Sequence, residues 1–546
     1  MDGNRVISKI LKMEGVEWIT AYPHQDLIEE AAKEGIRPII CRQERAGVNM
    51  ADGYSRMHNG NKIGVFTMQR GPGAENAFGG VAQGFADSVP FLLLPGGNPR
   101  SRIGVPPGFD SLDHYKGITK WSGHINLVER IPELMTRAFS QMRHGRRGPV
   151  LLEIPNDVGG EEYPGDNIPY IPVREHKSAA DPDEVRELIK VMMKAESPCI
   201  NAGQGVLYAE ATDELVEFAE LTNIPVMTTL AGKSAFPENH PLALGTGSNS
   251  ATLMVDHYLK KTDFVLGMGT SLTLSTFNAP FPSGITIAHS TNCAEDVNKD
   301  YRVPLGAIGD SKIVLKQMIQ EVKSQVGENG RGDVNGVIEE IAKVKSEFMK
   351  EWGPRLTSDE IPISPYRVIK EIADGVDVSN TVITHDSGYP REQLVPFWET
   401  VTPRGYLGWG KSTQLGYGLG LVLGAKLATP EKTVINIMGD AAFGMAGLDI
   451  ETAARNEIGT LTIILNNSVM TNYSHHMPYA TEQYGSNSFS GDYAKVAEGL
   501  GAYSEVVTEP NQLRSSIKRG ISATKNGQPA VLEIITKEEL DVPKFW

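Results

Sequence analysis

Short apolar runs, cut by glycine, proline and asparagine, recur along this chain and alternate with stretches whose apolar positions fall at helical spacing. The first third offers strands at Trp18–Ala21, Pro38–Cys41, Ile63–Phe66, Phe91–Leu94 and Val150–Glu153. The middle offers Cys199–Ala202, Pro225–Met227, Phe264–Leu266 and Ile285–Ile287, and the last third Val434–Met438, Leu461–Leu465 and Ala530–Ile534. Such alternation predicts an α/β protein of parallel sheets covered by helices on both faces. Breaks in the pattern divide it into three doubly wound units, residues 1–175, 180–325 and 361–546, with a glycine-rich linker and a charged helix over 326–360.

The chain also repeats itself. Gly148-Pro149-Val150-Leu151-Leu152-Glu153-Ile154 parallels Gln528-Pro529-Ala530-Val531-Leu532-Glu533-Ile534 at a constant offset (529 − 149 = 380). Each segment follows a helical stretch that opens on a proline, Pro132 or Pro510. The repeat predicts one fold used twice, in the first and third units, around a different, Rossmann-like middle.

Composition narrows the function. A formal net charge of −15 over 546 residues argues against nucleic acid or an anionic membrane surface as partner. No apolar run is long enough to span a membrane. Cys41, Cys199 and Cys293 lie far apart, so neither a disulfide framework nor a zinc site is expected, and a reducing cytoplasm fits.

The densest chemistry lies at Gly439-Asp440-Ala441-Ala442-Phe443 and Asn466-Asn467. Val434–Met438 runs into the first segment, Leu461–Leu465 delivers the second, and a helix is predicted between them at Leu448–Asn456. Both strand ends then emerge at one carboxyl edge, where α/β sheets bind ligands. A carboxylate and an amide oxygen brought together there suit Mg²⁺ holding phosphate oxygens. Gly439, Ala441, Ala442 and Gly444 leave room for a bulky anion. An ordinary Asp–Asn pair in a Rossmann-like sheet is the plainer alternative.

This segment resembles the signature of thiamin diphosphate (ThDP) enzymes, which begins Gly-Asp-Gly and ends Asn-Asn, with Ala441 in place of the third residue. Arg42-Gln43-Glu44 with Ala51-Asp52-Gly53-Tyr54-Ser55-Arg56 resembles the family's glutamate segment, and Gly71-Pro72-Gly73 with Asn76 its turn. Thr413-Gln414-Leu415-Gly416-Tyr417-Gly418 resembles the segment between the cofactor's two rings. The likeness spans nearly the whole chain and is nearest to the acetohydroxyacid synthase branch. It implies a pyrimidine-binding first domain, a diphosphate-binding third domain, and a homodimer or homotetramer with the site between subunits.

By the same resemblance, Glu44 promotes ylid formation on ThDP, Leu415 bends the cofactor and the Thr413 carbonyl receives its amine. Asp440, Asn467 and the Val469 carbonyl hold Mg²⁺, and Pro23, Gly73, Asn76, Gly439, Ala441, Ala442 and Met470 complete the cofactor site. The reaction implied is C–C cleavage or carboligation on a 2-oxo acid or related α-carbonyl compound. Sulfoacetaldehyde acetyltransferase, 2-hydroxyacyl-CoA lyase, cyclic-dione hydrolase and a non-catalytic regulatory protein on the same folds stay open as alternatives.

The substrate side departs from the synthases. His24-Gln25 follows Pro23 where the family has glycine, Gly96-Gly97 stands for a Gly-Gln pair, and Ser468 to His476 replaces the usual Gly-Met. His24, Gln69, His475 and His476 are therefore the candidate proton shuttles or substrate-oxygen binders, with Arg70 a candidate for a carboxylate. Residues 288–292 read Ala-His-Ser-Thr-Asn, without the acids through which the synthases hold FAD, so FAD is not expected.

Overall fold

A computed structural model describes residues 1–275, 277–332 and 336–546. Residues 333–335 of the predicted linker lie outside the described residues.

The first sheet holds β1 (Trp18–Tyr22), β2 (Arg37–Ile40), β3 (Gly64–Met68), β4 (Phe91–Gly97), β5 (Trp121–His124) and β6 (Val150–Pro155), in the order β2-β1-β3-β4-β6-β5. The middle sheet holds β7 (Pro198–Ala202), β8 (Val226–Thr229), β9 (Ala243–Gly247), β10 (Phe264–Met268), β11 (Thr286–Thr291) and β12 (Leu305–Ile308), in the order β12-β11-β10-β7-β8-β9. The third holds β13 (Thr381–His385), β14 (Tyr406–Leu407), β15 (Thr433–Gly439), β16 (Leu461–Asn466), β17 (Tyr503–Val507) and β18 (Ala530–Ile535), in the order β14-β13-β15-β16-β18-β17. Every pairing between neighbouring strands in the three sheets is parallel.

Numbered within each unit, the first and third sheets share the order 2-1-3-4-6-5. The middle sheet has 3-2-1-4-5-6, the order of dinucleotide-binding sheets. The repeat of Glu153 and Glu533 is thus a repeat of topology: both lie on the sixth strand of their sheets.

The two like units meet through like helices. Helix Glu44–Met57 follows the second strand of the first sheet, and helix Tyr417–Ala428 follows the second strand of the third. They pack backbone to backbone because glycine lines the seam. A Cβ at Gly53 would overlap the Leu421 carbonyl, and one at Gly424 would overlap the Met50 carbonyl. Across the same seam, buried Arg56 pairs with Asp52 at 2.6 Å and Asp87 at 3.1 Å, and donates to the Gly408 carbonyl at 2.9 Å. The Tyr417 hydroxyl donates to Asp52 at 2.7 Å. The Asp52–Arg56 part of the glutamate segment is therefore interdomain structure.

One local expectation needs correcting. The helix expected to begin at Leu448 begins at Asp440: Asp440–Ala446 is helical, a tighter turn follows at Gly447–Asp449, and Ile450–Arg455 completes the connection. Small residues disguise the helix in sequence, but Ala442, Phe443 and Ala446 all bury against the core beside Met438 and Ile464.

Candidate active site

Strands β15 and β16 end side by side, with Gly439 paired to Leu465. Asp440 begins the helix leaving β15 and is 3% exposed. Its Oδ1 accepts the Ala441 N–H at 2.9 Å, while Oδ2 is buried with no hydrogen-bond partner among the described residues. Burial raises the Asp440 pKa, and the N–H groups of Ala441 and Ser468 oppose that rise. A Cβ at Gly444 would meet nothing within 4 Å, so the backbone here borders open space. Asn467 sits beyond β16; its Oδ1 accepts the Val469 N–H at 3.2 Å, and its Nδ2 donates to Thr471 at 2.8 Å. Segment 468–470 is held by pairing with 487–489, through Met470 N–H to the Asn487 carbonyl and Phe489 N–H to the Ser468 carbonyl.

Glu44 opens its helix just beyond β2 and is 3% exposed. Its Oε2 accepts the Asn76 amide at 3.2 Å, so the glutamate segment and the Gly71-Pro72-Gly73 turn converge. Gly71 takes φ 65°, a left-handed conformation that glycine permits at this abrupt strand-to-helix connection. Two residues before Glu44, the Arg42 N–H reaches Asp449 of the third unit, and Arg45 donates to the Met445 carbonyl at 3.3 Å.

The segment carrying Thr413 and Leu415 is clamped by a residue that motif reading passed over. Asp386, at the end of β13 and fully buried, accepts Gly416 N–H at 2.9 Å on Oδ1 and Gly418 N–H at 3.0 Å on Oδ2. Burial pushes its carboxyl up to about 6 against those N–H groups. Leu415 packs on the cluster containing Ala442 and Phe443. Thr413 is held at φ 54°, a strained value for a β-branched residue. The sequence signal available for Asp386 was its place directly after a strand, in the same unit as Asp440.

The remaining candidates separate into two places. His24 ends β1's connection, with Nδ1 2.7 Å from Thr67 Oγ1, and burial lowers it to about 4. Around it stand Gly96, Arg70 and Asn156, the last another residue that sequence reading missed. Gln69 packs beside Gly73, and Pro23 is exposed at the same edge. His475 and His476 lie elsewhere, exposed on the short helix Tyr473–His476 that follows the Asn467 loop. No hydrogen bond among the described residues joins them to His24, and His476 reaches only Asn472, at 3.4 Å.

Three family profiles match in the same order as the three sheets. Residues 1–119 match "Thiamine pyrophosphate enzyme, N-terminal TPP binding domain", 185–318 the central domain and 386–534 the C-terminal TPP binding domain. A probable acetolactate synthase large subunit of Methanococcus aeolicus is 31% identical, covering 96% of this chain and 90% of its own. Its counterpart in Methanocaldococcus jannaschii is 30% identical over 98% and 92%. The chain belongs to the thiamine pyrophosphate enzyme family. Another relative, the glyoxylate carboligase of Escherichia coli O157:H7, is 27% identical over 93% of this chain and 88% of its own.

In this thiamin diphosphate enzyme the middle unit carries a cavity of its own. It lies at the topological switch point between β7 and β10, lined by Gly203, Gly205, Gly269 and Thr270 and reached by Arg146 and Lys411 from the other two units. Thr291 and Asn292 line it at the end of β11. Asn292 Nδ2 is committed to the Gly145 carbonyl at 3.1 Å, and Arg146 to Asp296 at 2.6 Å.

Proposed function

We propose that the enzyme is a ThDP- and Mg²⁺-dependent carboligase acting on a 2-oxo acid or related α-carbonyl compound, in the manner of acetolactate synthase. The observation that carries the Mg²⁺ assignment is Asp440 Oδ2, a buried carboxylate oxygen without a partner beside open space at Gly444. An uncompensated buried carboxylate is costly unless a cation completes it. Asp440, Asn467 and the Val469 carbonyl fit a magnesium diphosphate, with Gly439, Ala441, Ala442 and Met470 bordering the same edge. When bound, ThDP supplies the carbanion that adds to the substrate carbonyl.

The chain's own contributions follow from placement. Glu44, buried and bonded to Asn76, holds a carboxyl where a pyrimidine ring nitrogen would meet it. Leu415 and the Thr413 carbonyl, fixed through Asp386, present a wedge and an acceptor. His24 and Arg70 face the substrate side, with Gln69 next to them. His475 and His476, exposed on the segment after Asn467, stand at the rim.

Self-association supports the same reading. Tyr479 and Tyr484, 71% and 80% exposed, stand on the segment after Asn467, with exposed Phe78 and Phe85 on the helix that carries Asn76. A homodimer or homotetramer would cover them and complete the site. FAD has no place in this proposal, since the strand-end positions are Thr291 and Asn292, with the Asn292 amide already bonded to Gly145. A soluble, cytoplasmic enzyme fits three separated cysteines and the absence, among the described residues, of any helix long and apolar enough to cross a membrane.

The test is calorimetry of the apoprotein with ThDP and MgCl₂, followed by mass-resolved products from pyruvate, glyoxylate, a cyclic dione, and sulfoacetaldehyde with phosphate. A ligated hydroxy acid from the 2-oxo acids supports the proposal. Turnover of only the dione or sulfoacetaldehyde moves the assignment to those alternatives.

A further inference from the structure

The hydrogen bonds beneath His24 admit one arrangement of protons. Thr67 is fully buried on β3, and its Oγ1 lies 2.7 Å from the Leu94 carbonyl oxygen and 2.7 Å from His24 Nδ1. A carbonyl oxygen only accepts, so the single hydroxyl proton of Thr67 goes to Leu94. Thr67 Oγ1 must then accept, which places a proton on His24 Nδ1 and leaves Nε2 bare.

The bare nitrogen faces a gap. A Cβ built on Gly96 would lie 3.4 Å from His24 Nε2, 3.5 Å from the Arg70 backbone nitrogen and 3.5 Å from Asn156 Oδ1. Any side chain at position 96 would close the space between these three groups. The Arg70 N–H and the Asn156 side chain have no hydrogen bond among the described residues. The gap is therefore bordered by an acceptor, a backbone donor and an amide.

We propose that Thr67 is a positioning residue that locks His24 in the Nδ1–H form, so that Nε2 is the proton acceptor of this pocket. The pocket then takes a substrate that brings a hydroxyl group to Nε2 and an acceptor oxygen to the Arg70 N–H. In the step assigned to His24, the substrate O–H bond breaks, an Nε2–H bond forms, and the electron pair stays on oxygen. The proton returns to product or solvent when the pocket empties. Of the two roles expected for His24, this form suits the proton shuttle: the ring offers the pocket a lone pair. The inference rests on the reading of the chain as a ThDP carboligase for the chemistry, but the tautomer stands apart from it.

The test uses holoenzyme carrying ¹⁵N-labelled histidine, with the His24 signals assigned by their loss in His24→Asn. The expected result is an unprotonated Nε2 in wild type, a mixture of forms in Thr67→Val, and restoration in Thr67→Ser. With a 2-oxo acid that turns over, Thr67→Val should lower kcat about tenfold at unchanged KM and ThDP retention, and Thr67→Ser should recover it. A protonated Nε2 in wild type, or wild-type kcat in Thr67→Val, overturns the proposal. Failure to retain ThDP would defeat the parent reading alone, because the nitrogen signals still decide the tautomer.

Discussion

The backbone N–H of Arg42 donates to Asp449 Oδ1 at 2.8 Å, joining the strand end that leads to Glu44 with the helical connection that begins at Asp440. Asp449 is buried and also accepts the Thr452 hydroxyl at 2.9 Å. Burial pushes its carboxyl up to about 6. The sheet edge that carries Glu44 and the one that carries Asp440 are thus registered by one acceptor whose charge is disfavoured where it sits.

That placement gives a pH signature. A carboxyl raised above its ordinary value favours the folded state most when protonated, at pH below about 4, and this contribution is lost as pH rises through about 6. Wild type should therefore lose stability relative to Asp449→Asn by about 2.4 kcal/mol between pH 4 and pH 7. Urea titrations of both proteins across that range measure it.

Asp386 should matter through geometry. Asp386→Ala leaves two buried N–H groups unpaired at Gly416 and Gly418, a cost of about 1–3 kcal/mol each. Leu415 and Thr413 lose their support with them. The expected outcome is a lower unfolding midpoint and ThDP affinity reduced about tenfold or more by calorimetry. Unchanged affinity would mean that this segment does not bear on the cofactor.

Glu44 and Asp440 should fail in different ways. Glu44→Gln should retain ThDP and the wild-type circular dichroism spectrum while turnover falls by at least about 100-fold. Asp440→Ala should reduce ThDP–Mg²⁺ retention by about 100-fold, and with it the rise in unfolding temperature that the cofactor gives wild type. Its apoprotein should be no less stable than wild type, since the variant removes a buried oxygen without a partner. Retention of cofactor by Asp440→Ala would remove the Mg²⁺ assignment.

Two glycines offer a paired comparison. Gly424→Ala drives a methyl into the Met50 carbonyl and should cost about 3 kcal/mol or more, with poor recovery of folded protein. Gly444→Ala meets nothing and should stabilise the apoprotein by about 0.5–1 kcal/mol through helix propensity. If the open space at Gly444 receives the cofactor, the same variant should weaken its binding.

The three-unit plan was legible because apolar runs punctuated by turn residues mark central strands, and the Glu153–Glu533 repeat marked the duplicated fold. Six strands escaped, β5, β9, β12, β13, β14 and β17: most are short, polar or glycine-bearing, as with the partly exposed Trp121-Ser122-Gly123-His124 of β5 and the two-residue β14, while β13 hides Val382-Ile383 between threonines. Glu44, Asp440 and Leu415 were legible through their motifs. Asp386, Asp449, Thr67 and Asn156 were not, since each acts through contacts with residues distant in sequence. Asp449, for instance, meets Arg42 407 positions away. His24 stood out because it replaces a glycine, but its proton could not be placed until Thr67 and Leu94 were seen beneath it.

The reciprocal fit of Gly53 under Leu421 and Gly424 under Met50 carries an implication for descent. Two copies of one unit that meet through the same helix have the geometry of a symmetric dimer fused into a single polypeptide. Symmetry would offer each copy both an acid after its second strand and a phosphate-binding turn after its third. The chain is asymmetric instead: the first unit has Glu44 after its second strand and a Gly-Pro-Gly turn after its third, while the other has Asp440 after its third. In the proposed site each unit thus supplies a group that the other lacks, and neither can be deleted without losing it.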